Sequence, residues 1–315
     1  MKKILMLLFV LLFIVGCEEN GTTDTTSTGA STSAFVGGDK GLEITFVKGT
    51  PPEEVFDSNY PFNINLRLEN VGEADIAKDQ AIIRVKGISP ADFGNVVLEN
   101  KNKLDLRGAN LDPNGNVVDG GIETIDFADL QASEVTGNVE YPLVGEVCYP
   151  YKTKTVAKIC ILEDLLGKTR KAGEEPLCIP DETKDVENSG APVKIENFKE
   201  VAVAEDKISF SFDIVHVGDG LIFKEEGTCE PKLEDKNKVI LKVDSGIENA
   251  ELKCNELGGG TKGEVNLFGD SKSETRSVVC TQALPERTDS EKQINIEISY
   301  RYQDRVESNI IVKHI

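Results

Sequence analysis

The chain has no tryptophan, two methionines and two histidines. His216 stands on the apolar phase of its stretch just before a turn and His314 is next to last, so neither is a base beside a nucleophile. Hydrolysis of the Ser-His or Cys-His type therefore has no support. There is no G-x-S-x-G elbow and no H-E-x-x-H pair. No two cysteines have C-x-x-C spacing, which argues against a zinc knuckle or a thiol redox pair. Gly167-Lys168-Thr169 resembles the close of a phosphate loop, but the glycine required five positions earlier is Leu162. Basic residues are also scarce: 35 Lys and Arg against 55 Asp and Glu leave a formal charge of −20, spread along the chain. Nucleic acid, which demands clustered cations, is not an expected partner. The acidity fits a well-solvated exterior, with the collection of divalent cations as the alternative.

One long apolar run is present. Lys2 and Lys3 precede Ile4 to Gly16, which is too short for a spanning helix of about 20 residues and has the form of a secretory signal. The run ends at Gly16-Cys17, which resembles the lipobox of prokaryotic lipoproteins; the resemblance implies a signal over 1–16 and Cys17 as the acylated first residue of the mature chain. Residues 17–40, rich in Ser and Thr, read as a flexible tether spanning roughly 25 Å. Asn20 in Asn20-Gly21-Thr22 is a candidate glycosylation site, with an unmodified spacer the alternative.

Beyond the tether, Val, Ile, Thr, Asn and Gly favour strands and turns. Phe62, Ile64, Leu66 and Leu68 alternate with polar neighbours, as do Ile208, Phe210, Phe212 and Ile214, and Ile294 through Tyr302. Further strands are expected at 42–47, 81–86, 122–127, 156–162, 239–243 and 310–313, with short helical pieces at 90–93 and 162–166. The sequence repeats itself. Asn70-Val71-Gly72 has a counterpart in His216-Val217-Gly218, and Val147–Ile161 aligns without gaps on Ile298–Val312, placing Tyr149 on Tyr300 and Tyr151 on Tyr302. The expectation is all-β: two tandem β-sandwiches over 41–172 and 193–315, joined by a Pro- and acid-rich linker at 173–192.

Six cysteines follow Cys17: Cys148, Cys160, Cys178, Cys229, Cys254 and Cys280. An even number in an exported chain reads as three disulfides, in any of fifteen connectivities. In the repeat alignment Cys148 and Cys160 fall on the two arms of a closing hairpin. That suggests Cys148 with Cys160, Cys254 with Cys280, and Cys178 with Cys229.

Asp112-Pro113-Asn114-Gly115-Asn116 offers oxygens at alternate positions, and Glu123 stands twelfth, as in a Ca²⁺ loop. Position six is Val117 rather than glycine, so the stretch reads as a hairpin turn. A weak Ca²⁺ site on Asp112, Asn114, Asn116 and Glu123 is the alternative. The four tyrosines of the repeat read as residues of the packed face with hydroxyls at its rim. Paired carboxylates for glycoside chemistry are not singled out by any spacing.

Together, the lipobox, the Ser/Thr tether and the strands ending Asn70-Val71-Gly72 and His216-Val217-Gly218 resemble prokaryotic, particularly archaeal, surface lipoproteins with immunoglobulin-like or cell-adhesion-related β-sandwich domains. The chain departs from antibody domains in having no core Trp. The resemblance implies a non-enzymatic protein, lipid-anchored on the cell surface and meeting other surface proteins or envelope components in adhesion or assembly. It transfers no catalytic residue and no cofactor. A solute- or cation-binding accessory subunit of a transporter or envelope enzyme is the alternative.

Overall fold

A computed structural model describes residues 33–58, 60–171, 173–230, 232–267 and 275–315. Cys17, Asn20, the expected signal and the tether as far as residue 32 lie outside the described residues. Among those described, eighteen strands and two short 3₁₀ turns, Pro90–Phe93 and Asn255–Leu257, follow one another. The strands of the first half are β1 (Leu42–Phe46), β2 (Glu54–Phe56), β3 (Phe62–Asn70), β4 (Ile82–Lys86), β5 (Glu99–Lys101), β6 (Asn110–Leu111), β7 (Val117–Val118), β8 (Ile122–Leu130) and β9 (Val139–Ile161). Those that follow are β10 (Val186–Asn188), β11 (Val193–Ala204), β12 (Lys207–His216), β13 (Leu221–Phe223), β14 (Lys238–Asp244), β15 (Leu252–Cys254), β16 (Lys262–Asn266), β17 (Thr275–Ala283) and β18 (Ser290–Lys313). The protein is all-β, as its period-two patterning requires, and its several sheets are consistent with β-sandwich packing.

Two strands organise the molecule. β9 and β18 are 23 and 24 residues long and pair antiparallel along their whole length, from Val139↔Val312 to Ile161↔Ser290. Both alternate buried and more exposed positions over much of their length, so one face is dry and the other largely meets water, but 145–149 of β9 and 298–300 of β18 are buried on both faces. β4 flanks β9 at 144–148, and β14 flanks β18 at the matching 295–299. The resulting nine-stranded sheet runs β16-β14-β18-β9-β4-β5, with β2, β10 and β13 added along the two long strands. Smaller sheets are built from β1-β3-β8 in the first half and β11-β12-β17-β15 in the second. Gly145 shows how closely the layers approach: a Cβ there would stand 2.7 Å from Leu66 of β3 and 3.1 Å from Val306 of β18. Buried side chains of both halves form one hydrophobic cluster, from Leu42 and Ile64 through Phe210 and Ile298 to Val312.

The two stretches expected to fold back as closing hairpins are instead uninterrupted strands. Each runs on past the expected turn and finds its antiparallel partner in the other copy, even through Pro150 at the centre of β9. The linker region is bonded as well. Lys184 N–H donates to Phe198 O, Glu200 N–H to Glu182 O, and Thr183 bridges Lys199, so 181–184 covers the outer edge of β11. An uncovered edge of that length invites pairing with other chains. At the N-terminal side, Val36 and Gly37 donate their N–H groups to the Glu73 carboxylate, Ala34 donates to Glu187, and Asp39 pairs with Lys194.

Candidate functional site

The centre of the shared sheet holds Tyr149, Tyr151, Tyr300 and Tyr302, all buried, with neighbouring rings 5.5–6.4 Å apart and mostly edge-on. Such contacts add to the area that aromatic rings bury. Their hydroxyls lie inside rather than at a rim. Tyr149 Oη accepts from Leu42 N–H at 3.0 Å, and Tyr302 Oη accepts from Gly220 N–H at 2.7 Å. Tyr300 Oη lies 3.1 Å from Thr153 Oγ1. Tyr151 Oη lies 3.3 Å from Asn70 Oδ1, and its repeat counterpart Tyr302 lies 3.1 Å from His216 Nε2. Burial pushes the Tyr149, Tyr151 and Tyr300 hydroxyls well above the ordinary phenol range, so they remain protonated. The quartet is cross-bracing, and His216 belongs to it.

Three cysteine pairs are bonded: Cys148–Cys229, Cys160–Cys178 and Cys254–Cys280. The third is the expected pair, between register partners on β15 and β17. The other two correct the expectation. Cys148 and Cys160 share one unbroken strand, which puts them about 40 Å apart at roughly 3.3 Å per residue. A disulfide needs Cα atoms within about 7 Å. Cys160 instead closes the loop that ends at Cys178, and Cys148 crosses to Cys229 in the second half.

The candidate Ca²⁺ ligands are placed in two roles. Asp112 Oδ1 accepts the N–H groups of Asn114 and Asn116, and Asn116 Nδ2 donates to Oδ2, which closes the turn between β6 and β7. These bonds hold the Asp112 carboxyl below the usual range. Glu123 is buried on β8 and accepts from Lys103 N–H and Leu104 N–H. Gly167-Lys168-Thr169 also wraps a carboxylate: Lys168 and Thr169 donate their N–H groups to Asp164. The amides that would meet a phosphate are thus filled from within.

Four hollows stand out among the described residues, one of them, of about 570 Å³, beside Ile161, Ile247, Pro285 and Lys292. Another, of about 640 Å³, lies beside the Cys160–Cys178 loop, with Asp164, Lys168, Arg170, Glu205 and Arg287 in its walls. The other two lie on the outer face of the shared sheet. A groove of about 180 Å³ is walled by Phe35, Lys154, Val156, Lys242, Asp244 and Glu297. A second, of about 330 Å³, is walled by Lys86, Glu146, Leu221, Phe223, Gln303 and Arg305, with Cys229 of the cross-half disulfide in its floor. Glu146 is only 6% exposed. Its Oε2 meets Lys86 Nζ at 2.7 Å, while Oε1 lies 3.6 Å from Arg84 Nη1 and has no hydrogen bond. Beside it, Arg301 sends Nη1 to within 3.7 Å of Cys148 Sγ and keeps a buried Nε without a partner. Nothing in the sequence pattern marks Glu146, because a glutamate at an outward position of a strand ordinarily meets water.

Comparison with protein-family models finds no match, and comparison with curated proteins finds none.

Proposed function

We propose that the chain is a membrane-anchored, extracytoplasmic protein that acts without catalysis in cell-surface interaction, adhesion or envelope assembly. In this reading Cys17 is acylated, 17–40 is the tether, fastened to the folded part from Ala34 onward, and 41–172 and 193–315 are tandem immunoglobulin-like sandwiches joined through 173–192, as in the prokaryotic surface lipoproteins that the sequence resembles. The observation that carries it is the set of three disulfides, a feature of oxidising compartments, in a chain whose apolar N-terminal run ends at Gly16-Cys17. The broad polar face of the shared sheet supplies contact surface. Labelling cells with a radioactive fatty acid tests the anchor. The chain is expected to take up label and sediment with membranes, and Cys17→Ser is expected to lose both; an unlabelled, reduced chain in the cytosol refutes the reading.

The alternative, solute capture for a transporter or envelope enzyme, is favoured by the hollow of about 640 Å³. It predicts a saturable heat of binding for a small polar solute that Arg287→Glu abolishes.

A further inference from the structure

The three disulfides differ in what shields them. Cys148, Cys160, Cys229, Cys254 and Cys280 are at most 3% exposed, and Cys178 alone is half-buried. Its neighbours Leu177 and Ile179 are 65% and 53% exposed, so the stretch that carries Cys178 stands at the surface. Thiol–disulfide exchange begins when a thiolate reaches one sulfur of the pair, and access is one of the factors that set its rate. Access favours Cys178 over the other five.

The bonds also differ in what they hold. Cys148 and Cys229 form a small buried cluster with Phe223, and Cys254–Cys280 joins register partners on two paired strands. Cys160–Cys178 instead fastens a surface loop to the end of β9. Among the described residues of 166–177, hydrogen bonds run within the stretch or back to Asp164. One ion pair ties it to the body, Lys168 with Glu205, and both side chains are 60% exposed. Such a pair contributes little. The covalent bond is therefore the strongest tie on the far end of the loop. That loop is one wall of the hollow of about 640 Å³: Lys168, Arg170 and Glu174 stand on the loop side, and Glu205, Arg287 and Asp289 on the body side.

We propose that Cys160–Cys178 is a redox latch: a dithiol reduces it while the other two bonds stay intact, and its reduction frees the loop wall of the hollow. The thiolate of the dithiol bonds to Cys178 Sγ as the Sγ–Sγ bond breaks, and Cys160 leaves as a thiolate that takes up a proton. The second thiol of the reagent then gives up its proton and displaces Cys178, closing the reagent's own disulfide. Two electrons pass from the dithiol to the chain, which ends with two thiols. β9 keeps its place, because 139–161 remains paired with 290–312 of β18. The latch goes beyond the surface-interaction reading and does not depend on acylation of Cys17.

The test treats the purified, oxidised full chain with dithiothreitol for graded times, blocks the freed thiols with N-ethylmaleimide and scores each cysteine by peptide mapping. Cys160 and Cys178 are expected to be labelled about tenfold faster than the other four, or more. Trypsin then reads the loop: cleavage after Lys168 and Arg170 should quicken about tenfold or more in the partly reduced, blocked chain. Cys160→Ser with Cys178→Ser should show the same rise without reductant, while Cys254→Ser with Cys280→Ser should not. Circular dichroism confirms that each species is folded, and the labelling order is read on the wild type alone. Equal labelling of the three pairs, earlier labelling of another pair, or unchanged cleavage after Lys168 and Arg170 in the reduced wild type overturns the proposal.

Discussion

Pro150 and Arg301 face each other across β9 and β18, and they are also equivalent positions of the internal repeat. An antiparallel pair whose two members are copies of one another lies on a local two-fold axis. Tyr149↔Tyr302 and Tyr151↔Tyr300 stand on either side of it. The same relation carries Asn70 beside Tyr151 onto His216 beside Tyr302. The C-terminal half of each long strand thereby extends the sheet of the other copy, and the hydroxyl network pins both copies to one ladder.

That network predicts measurable costs. Tyr149→Phe removes the acceptor of the buried Leu42 N–H and is expected to lower stability by about 1–3 kcal/mol in urea unfolding. Tyr302→Phe should fall in the same range, through Gly220. Gly218→Ala would drive a Cβ into the Tyr302 hydroxyl and should cost about 1–3 kcal/mol, matched by Gly72→Ala against Tyr151. Wild-type stability in all four would show that the quartet does not bind the halves together.

Acidity acts through Glu200. Burial raises its carboxyl from 4.5 to about 7, only partly countered by the Cys160 N–H it accepts and by Lys184. The folded chain therefore holds a proton that the unfolded chain releases between about pH 4.5 and 7. Its stabilising effect is complete below pH 4.5 and is lost as the pH rises through 7. Glu200→Gln should flatten this part of the stability profile, which is on the order of 2 kcal/mol deep. Protection of the Lys184 and Glu200 amides against hydrogen exchange, corrected for the intrinsic rise of exchange with pH, should fall over the same window in the wild type, since these amides fasten the 181–184 segment to β11. Protection that stays constant from about pH 4.5 to 7 would contradict this.

Calcium is expected to leave the melting temperature unchanged, because Asp112 is filled by its own turn and Glu123 by the Lys103 and Leu104 amides. A rise of several degrees that Asp112→Ala abolishes would show that these carboxylates exchange amides for the ion.

Much of this was legible in the sequence. Period two located β1, β3, β4, β8, β12 and β14 to within a few residues. β11 escaped because a bulge between Glu196 and Lys199, with Asn197 at φ 53°, breaks its alternation. β17 escaped because Thr275-Arg276-Ser277 carries no apolar stripe. The repeat alignment found the equivalent strands but not their partners: a long alternating stretch reads equally well as two arms or as one strand. That ambiguity misassigned Cys148 and Cys160. The grooves on the outer face were invisible for a related reason, since their walls come from strands far apart in the chain.

Removing a cross-half link should also be felt. Cys148→Ser with Cys229→Ser is expected to cost about 2–4 kcal/mol.

The exchange of long strands between two copies is tested most directly by peptide mapping of the unreduced, alkylated protein. Uninterrupted β9 and β18 predict fragments joined through Cys148–Cys229 and Cys160–Cys178. Fragments joined through Cys148–Cys160 and Cys178–Cys229 would mean that the strand folds back on itself, and would contradict the account.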